Sequence, residues 1–338
     1  MKRSGIYTAA GSAIGFLLLI LDSQTALSGT AAGLELCIRT VIPSLFPFLF
    51  LSTLLTATAS NLKLPIFIPL CRFLRIPESA VPVFLTGILG GYPAGAQSVR
   101  DAYSQGLLSR SSAERMLGFC NNAGPAFLFG VTAALFPSPW MPWALWCIHI
   151  LSALAAARIL PAQCESKPIS IPDKPISMTT AMNRSLKSMA QISGWIILFR
   201  LLIAFCIRWF GWFLPATGQV LLFGLLELSN GCCALPDIDS VGLRFIFCSV
   251  FLSFGGLCVT MQTMSAVGDL SMRFYFPGKL LQTAYSAAIA ALIQSLMPGG
   301  MGESIPVYLQ ILLISVCILP SFLKKVRNYS RNPAPYGV

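Results

Sequence analysis

Along this chain, apolar runs of membrane-spanning length alternate with short polar or glycine- and proline-rich stretches. A helix needs about 20 mostly apolar residues to cross a bilayer. Runs that meet this lie at 5–21, 36–58, 116–136, 139–160, 188–211, 241–264, 278–297 and 305–323. Two further apolar stretches, 77–95 and 214–235, are interrupted by Gly, Pro and polar residues and read as re-entrant hairpins or broken helices. A short piece at 64–75, bounded by prolines, reads as interfacial. The pattern predicts an all-α polytopic membrane protein with about eight transmembrane helices and two re-entrant or broken hairpins.

The interruptions recur in two halves. Gly87–Gly95 (GILGGYPAG) is followed by Phe119–Gly130 (FCNNAGPAFLFG); Gly224–Gly231 (GLLELSNG) is followed by Phe251–Gln262 (FLSFGGLCVTMQ). Lipid leaves no partner for free backbone, so helices open at membrane depth only where protein or a water-filled cavity surrounds them. The helix-breaking residues are Gly90, Gly91, Pro93, Gly95, Gly124 and Pro125 in the first half, and Gly231, Gly255 and Gly256 in the second. Paired breaks of this kind point to the central site of a transporter-like fold. Counting crossings sets helices 36–58 and 188–211 in opposite directions, which predicts an inverted repeat. The organisation expected is a first helix and loop (1–33), a first repeat (34–160) with hairpin 77–95 and broken helix 116–136, and a Pro- and Ser-rich cytoplasmic linker (161–187). A second repeat (188–323) follows with hairpin 214–235 and broken helix 241–264, then a basic tail (324–338).

Composition agrees. The chain is 55% hydrophobic and 10% charged, with mean hydropathy +0.74, whereas soluble domains are about a quarter charged. The net charge of +11 comes from Lys and Arg in short loops and at the ends, including the region of Arg273 and Lys279. This fits the positive-inside rule rather than nucleic-acid binding. Both termini are then cytoplasmic and the protein is a multi-pass component of the cell membrane. Lys2 and Arg3 ahead of Ile6–Leu21, with small residues after it, also make the layout of a signal peptide; agreement between the two basic ends favours a retained helix. The eleven cysteines include no CxxC and behave as small hydrophobes. The single histidine, His149, reads as a packed core residue, with a proton relay as the alternative; one imidazole does not build a zinc site, and no metal or cofactor is expected. No phosphate-binding or dinucleotide-binding glycine motif is present, and no enzyme activity is expected.

Glu227 is the leading candidate for function, because a carboxylate at membrane depth is costly and marks a site by default. Ser229 and Asn230 follow it where the helix can open. These groups can hold a cation, a proton or the polar edges of a solute. The alternative is a structural pair between Glu227 and Arg200 or Arg208. Asn121 and Asn122 precede Gly124-Pro125, where proline frees nearby carbonyls; they either bind solute or bond between helices. Tyr92 either stacks on a ring or caps the hairpin tip. Gly87, Gly91 and Gly95, four apart, read as small-residue packing. Ser111 and Glu114 have capping-box spacing and predict a helix start there.

GGYPAGA at 90–96, Gly106–Arg110 (GLLSR) and AERMLGFCNNAGP at 113–125 resemble the YlbJ family of sporulation integral membrane proteins, which carry a Gate, or nucleoside recognition, domain. The resemblance covers most of the chain, and Glu227–Gly231 looks like the counterpart motif of the second half. It implies a role in building the spore's protective layers. Through the Gate domain's similarity to concentrative nucleoside transporters, it also implies hairpins and broken helices around a solute and cation site, by analogy of fold. The function expected is secondary transport of a small polar, nucleoside-like solute by alternating access, coupled to Na+ or H+ through Glu227. Partners would be the bilayer, the solute and other sporulation membrane proteins. The alternative is a non-transporting membrane scaffold needed for spore envelope or cortex assembly.

Overall fold

The computed structural model describes residues 3–59, 68–161 and 177–296. The expected span 305–323, the basic tail and most of the linker lie outside the described residues. Within them the secondary structure is helical throughout, and four helices are long and apolar enough to cross a membrane: Ser23–Leu51, Trp140–Ile159, Met178–Phe213 and Val241–Val267. Eight spans were expected, and the difference has specific causes. Run 5–21 forms α1 (Arg3–Leu21), of which Ala9–Leu21 is an apolar helix among the residues whose side chains are described. Run 116–136 is divided by an opening at Asn121–Gly124. Run 278–297 lies in α15 (Tyr275–Leu296), which is long enough but carries buried Lys279, Gln282 and Gln294.

The second helix corrects the sequence reading most. The span expected at 36–58 begins at Ser23. Asp22 caps α2 (Ser23–Leu36) by accepting from Thr25 N at 3.2 Å. The helix then passes through a π-helical turn, Cys37–Val41, into α3 (Ile42–Ala59). The small residues of TALSGTAAG are therefore an interface and not a loop. A Cβ on Gly33 would lie 2.9 Å from Ile197 Cα, and one on Gly29 would lie 3.2 Å from Leu201 Cα. Both contacts are with α10 (Met178–Phe210), which packs along α2 and α3. Small residues admit this close approach where water supplies no driving force.

The polar stretch 96–115 is mostly helix. Hairpin 77–95 becomes α5 (Val81–Leu89) and α6 (Ala94–Ser104), after the short α4 (Ile68–Leu74). The next helix, α7 (Arg110–Cys120), is capped by Ser109, whose Oγ accepts from Ser112 N; the capping box expected at Ser111 is not formed. Glu114 is drawn away to Arg110 Nε at 3.0 Å, Arg273 Nε at 2.9 Å and Ser271 N at 3.2 Å. Beside it, buried Arg115 donates to Leu74 O at 2.9 Å and Ala157 O at 2.6 Å. It thereby ties the carboxyl ends of α4 and α9 (Trp140–Ile159) to α7, where cations suit the helix dipole.

Beyond Cys120 the chain re-enters a helix at α8 (Pro125–Phe127), continued by π and 3-10 turns to Leu135. In the second half, stretch 214–235 resolves into α11 (Ala216–Leu226) and α12 (Leu228–Cys233), and run 241–264 into α13 (Val241–Phe254) and α14 (Gly256–Val267). Helix α15 packs against α9, α13 and α7, so its buried polar face points at the interrupted helices.

Candidate functional site

The openings meet one another. Gly87, Gly91 and Gly95 form one face that seats the segment from Cys120 to Gly124. Side chains at Gly87 or Gly95 would collide with Cys120 O, and a Cβ on Gly91 would lie 2.9 Å from Gly124 N. Their fourfold spacing thus packs one break against another. In the second half, Gly255 and Gly256 adopt φ of +80 and +75, backbone that L side chains rarely adopt. A Cβ on Gly256 would lie 3.1 Å from both Gly224 O and Leu226 O; Gly231 also packs on Gly224. Tyr92, followed by a cis peptide to Pro93, joins the halves: its hydroxyl donates to Leu252 O at 3.0 Å, and its ring abuts Gly255.

Two polar clusters flank these contacts. The first is Glu227, 2% exposed, at the opening between α11 and α12. Its Oε1 accepts from Ser229 N at 3.0 Å, and its Oε2 accepts from Asn230 N and Asn230 Nδ2, both at 2.7 Å. The carboxylate caps the helix that follows it, where backbone N–H groups and the helix dipole favour negative charge. The pairing considered with Arg200 or Arg208 is not formed. Arg208 lies 3.8 Å from Asp22, and Arg200 packs its stem against Gly33. Glu227, Ser229 and Asn230 are therefore one unit held by bonds within three residues.

The second cluster joins distant parts of the chain. Asn122 Nδ2 donates to Phe119 O at 2.8 Å, at the end of α7. Its Oδ1 accepts from Gln282 Nε2 at 2.9 Å. Lys279 Nζ donates to Gln282 Oε1 at 2.8 Å and to Tyr92 Oη at 2.9 Å. Asn121 Nδ2 donates to Thr263 Oγ1 at 2.7 Å, while Asn121 Oδ1 is buried without a hydrogen-bond partner. His149 is more than core filling: its Nε2 accepts from Ala123 N at 3.0 Å inside the opening. That bond leaves the ring proton on Nδ1, facing Ser253 Oγ at 3.3 Å.

The structure brings Tyr92, Asn121 and Asn122 together and holds Glu227, Ser229 and Asn230 apart from them, with Gly255–Gly256 between. Sequence reasoning missed Lys279, Gln282, Thr263 and Ser253. A signal existed. Tyr275, Lys279, Gln282 and Ser286 recur three or four apart, as one helix face does, but Lys279 reads as loop charge once it is grouped with Arg273. Among the described residues, no three His, Cys, Asp or Glu side chains are grouped to hold a metal ion. The clusters offer amide, hydroxyl, amine and carboxylate groups, the chemistry of hydrogen bonding to a small polar molecule.

No family model matches the chain, and no solved structure matches it. It is 26% identical over 322 residues to the sporulation integral membrane protein YlbJ of Bacillus subtilis (strain 168), covering 81% of this chain and 79% of that protein. That similarity supports assigning the chain to the YlbJ family.

Proposed function

We propose that this protein acts in sporulation as a carrier in the cell membrane, moving a small polar, nucleoside-like solute by alternating access around its interrupted helices. The observation that carries this reading is the meeting of four helix openings at buried polar side chains: Gly91 on Gly124, Tyr92 on Gly255, and Gly256 on the Gly224–Glu227 turn. Irregular backbone at membrane depth has this use in secondary transporters. An inverted repeat is part of the reading. Its support is the order of elements, since two interrupted helices followed by the unbroken α9 recur as two interrupted helices followed by the unbroken α15. About eight crossings, with both termini cytoplasmic, complete the arrangement. Coupling to Na+ or H+ through Glu227, and association with other sporulation membrane proteins, belong to the same reading. No enzymatic step is assigned.

A second reading, a non-transporting scaffold for envelope or cortex assembly, has one observation in its favour. Tyr92, Ala123, Phe251 and Leu252 belong to a single close-packed apolar cluster at the centre. Thermal unfolding of the purified protein against nucleosides, bases, amino acids and sodium separates the two, since a ligand of the folded state raises apparent stability by mass action. A solute that stabilises the protein, and that reconstituted vesicles take up, sustains the carrier. The Glu227→Gln variant should then be expressed but inactive. No stabilising solute and no uptake would leave the scaffold.

A further inference from the structure

Lys279 is the one lysine described inside the bundle. It is 1% exposed, and among the described residues no carboxylate pairs with it. Its neighbours fix what it can donate. The Tyr92 hydroxyl spends its proton on Leu252 O, so towards Lys279 it can only accept. Gln282 spends its Nε2 on Asn122 Oδ1 and, at 3.4 Å, on His149 O, so its oxygen can only accept. Two acceptors therefore face Nζ. A neutral amine has two N–H donors and fits them; an ammonium has three donors and a charge. Protonation would leave one donor and the charge without a hydrogen-bonded partner, in a place where an uncompensated charge is expensive.

Other groups near Nζ do not supply the missing charge. His149 of α9 is held as its neutral tautomer by Ala123 N. Helix α7 contributes the thiol of buried Cys120. Tyr275, one turn earlier on α15, lies at the Thr263 hydroxyl. The face of Tyr92, with its centroid 4.9 Å from Nζ, is the nearest electron-rich surface. Glu227, by contrast, already accepts three N–H bonds from its own helix start.

We infer that Lys279 is the proton-binding residue that couples the carrier, and that the structure holds its deprotonated state. The step balances simply: the amine lone pair takes one proton, no other bond is made or broken covalently, and the site gains one positive charge. The third N–H then needs an acceptor, which the present arrangement of Tyr92, Gln282 and α15 does not offer. Binding the proton therefore favours a different arrangement of α15 against Tyr92 and α13. Because Tyr92 lies in one interrupted unit and Leu252 in another, that change reaches both halves. This inference rests on the carrier reading and moves proton coupling from Glu227 to Lys279.

The test uses the full chain in lipid nanodiscs, labelled with carbon-13 at lysine Cε and titrated with acid. One lysine resonance should behave as a neutral amine at a pH where the other lysines are protonated, and it should vanish in Lys279→Met. In parallel, the unfolding equilibrium is followed against pH. A lysine that is neutral when folded and charged when unfolded gives the unfolded state the extra proton, so stability rises with pH. The unfolding constant should fall about tenfold per pH unit through that window, and Lys279→Met should remove this slope. If the variant does not fold, the wild-type spectrum still decides. Lysine resonances that all titrate together, or an unchanged slope in the variant, would overturn the inference. Failure of the carrier reading looks different: Lys279 would titrate as described while vesicles move no solute and no protons, which overturns the coupling and keeps the proton site. Proton movement that survives in Lys279→Met would overturn the role of Lys279 and leave the carrier intact.

Discussion

The opening at Glu227 and the opening at Asn121–Gly124 solve the same physical problem by different means. Each interrupts a helix in surroundings that offer no water to free backbone groups. At Glu227 the answer is local. One carboxylate caps the start of α12, and its partners lie two and three residues away. At Asn121–Gly124, apart from the Asn122 Nδ2 bond to Phe119 O, the answer is distant. Ala123 N goes to His149, Asn122 to Gln282 and Asn121 to Thr263. A local cap holds a break in one shape whatever its neighbours do. A break satisfied by other helices holds its shape only while those helices stay in place, so it is the one suited to respond when they move.

The largest expected effect tests the local side of this contrast. Glu227→Ala strands several buried N–H donors at about 1–3 kcal/mol each, and we expect a loss of about 3–5 kcal/mol in chemical denaturation of the detergent-solubilised protein. A loss below about 1 kcal/mol would mean that the cap does not hold the break. Gly256→Ala comes next, at about 2–3 kcal/mol, because a methyl group at φ +75 meets two carbonyl oxygens at 3.1 Å and both backbone and packing must give. The contrast itself is sharpened by double-mutant cycles. Asn122→Ala with Gln282→Ala should show an interaction of about 0.5–3 kcal/mol, whereas Glu227→Gln with Gln282→Ala should add to within about 0.5 kcal/mol. Strong coupling in the second cycle would merge the two clusters into one. The smallest effect belongs to Arg208→Ala, whose side chain is 68% exposed beside Asp22. A change in melting temperature equivalent to less than about 1 kcal/mol is expected there.

Much of the local structure was legible in the chain. Pro93, Pro125, Gly91 and Gly255–Gly256 mark openings that the structure contains, because proline and glycine act on the backbone where they stand. Other features were ambiguous for reasons that can be named. Ser109 precedes α7 and Ser111 lies in its first turn, and the choice between them as cap turned on where Glu114 went; Arg110 and Arg273 took it. The small residues of α2 read as a loop, and only α10 lying against Gly29 and Gly33 makes them an interface. Lys279 carried the same charge as the loop residues near it in the chain, and only burial set it apart.

The amino-acid order was enough for the helical, membrane-embedded character of the protein, for the positions at which its helices open, and for the polar cluster that surrounds Glu227. These depend on side-chain transfer into lipid, on proline and glycine, and on bonds spanning two or three residues, all of which act over a few neighbours. Folding alone decided that Tyr92 would meet Lys279 across 187 residues and Asn122 would meet Gln282 across 160. Those partners depend on how α15 lies against α7, α9 and α13, and helix packing is a property of whole faces that no short stretch of chain contains.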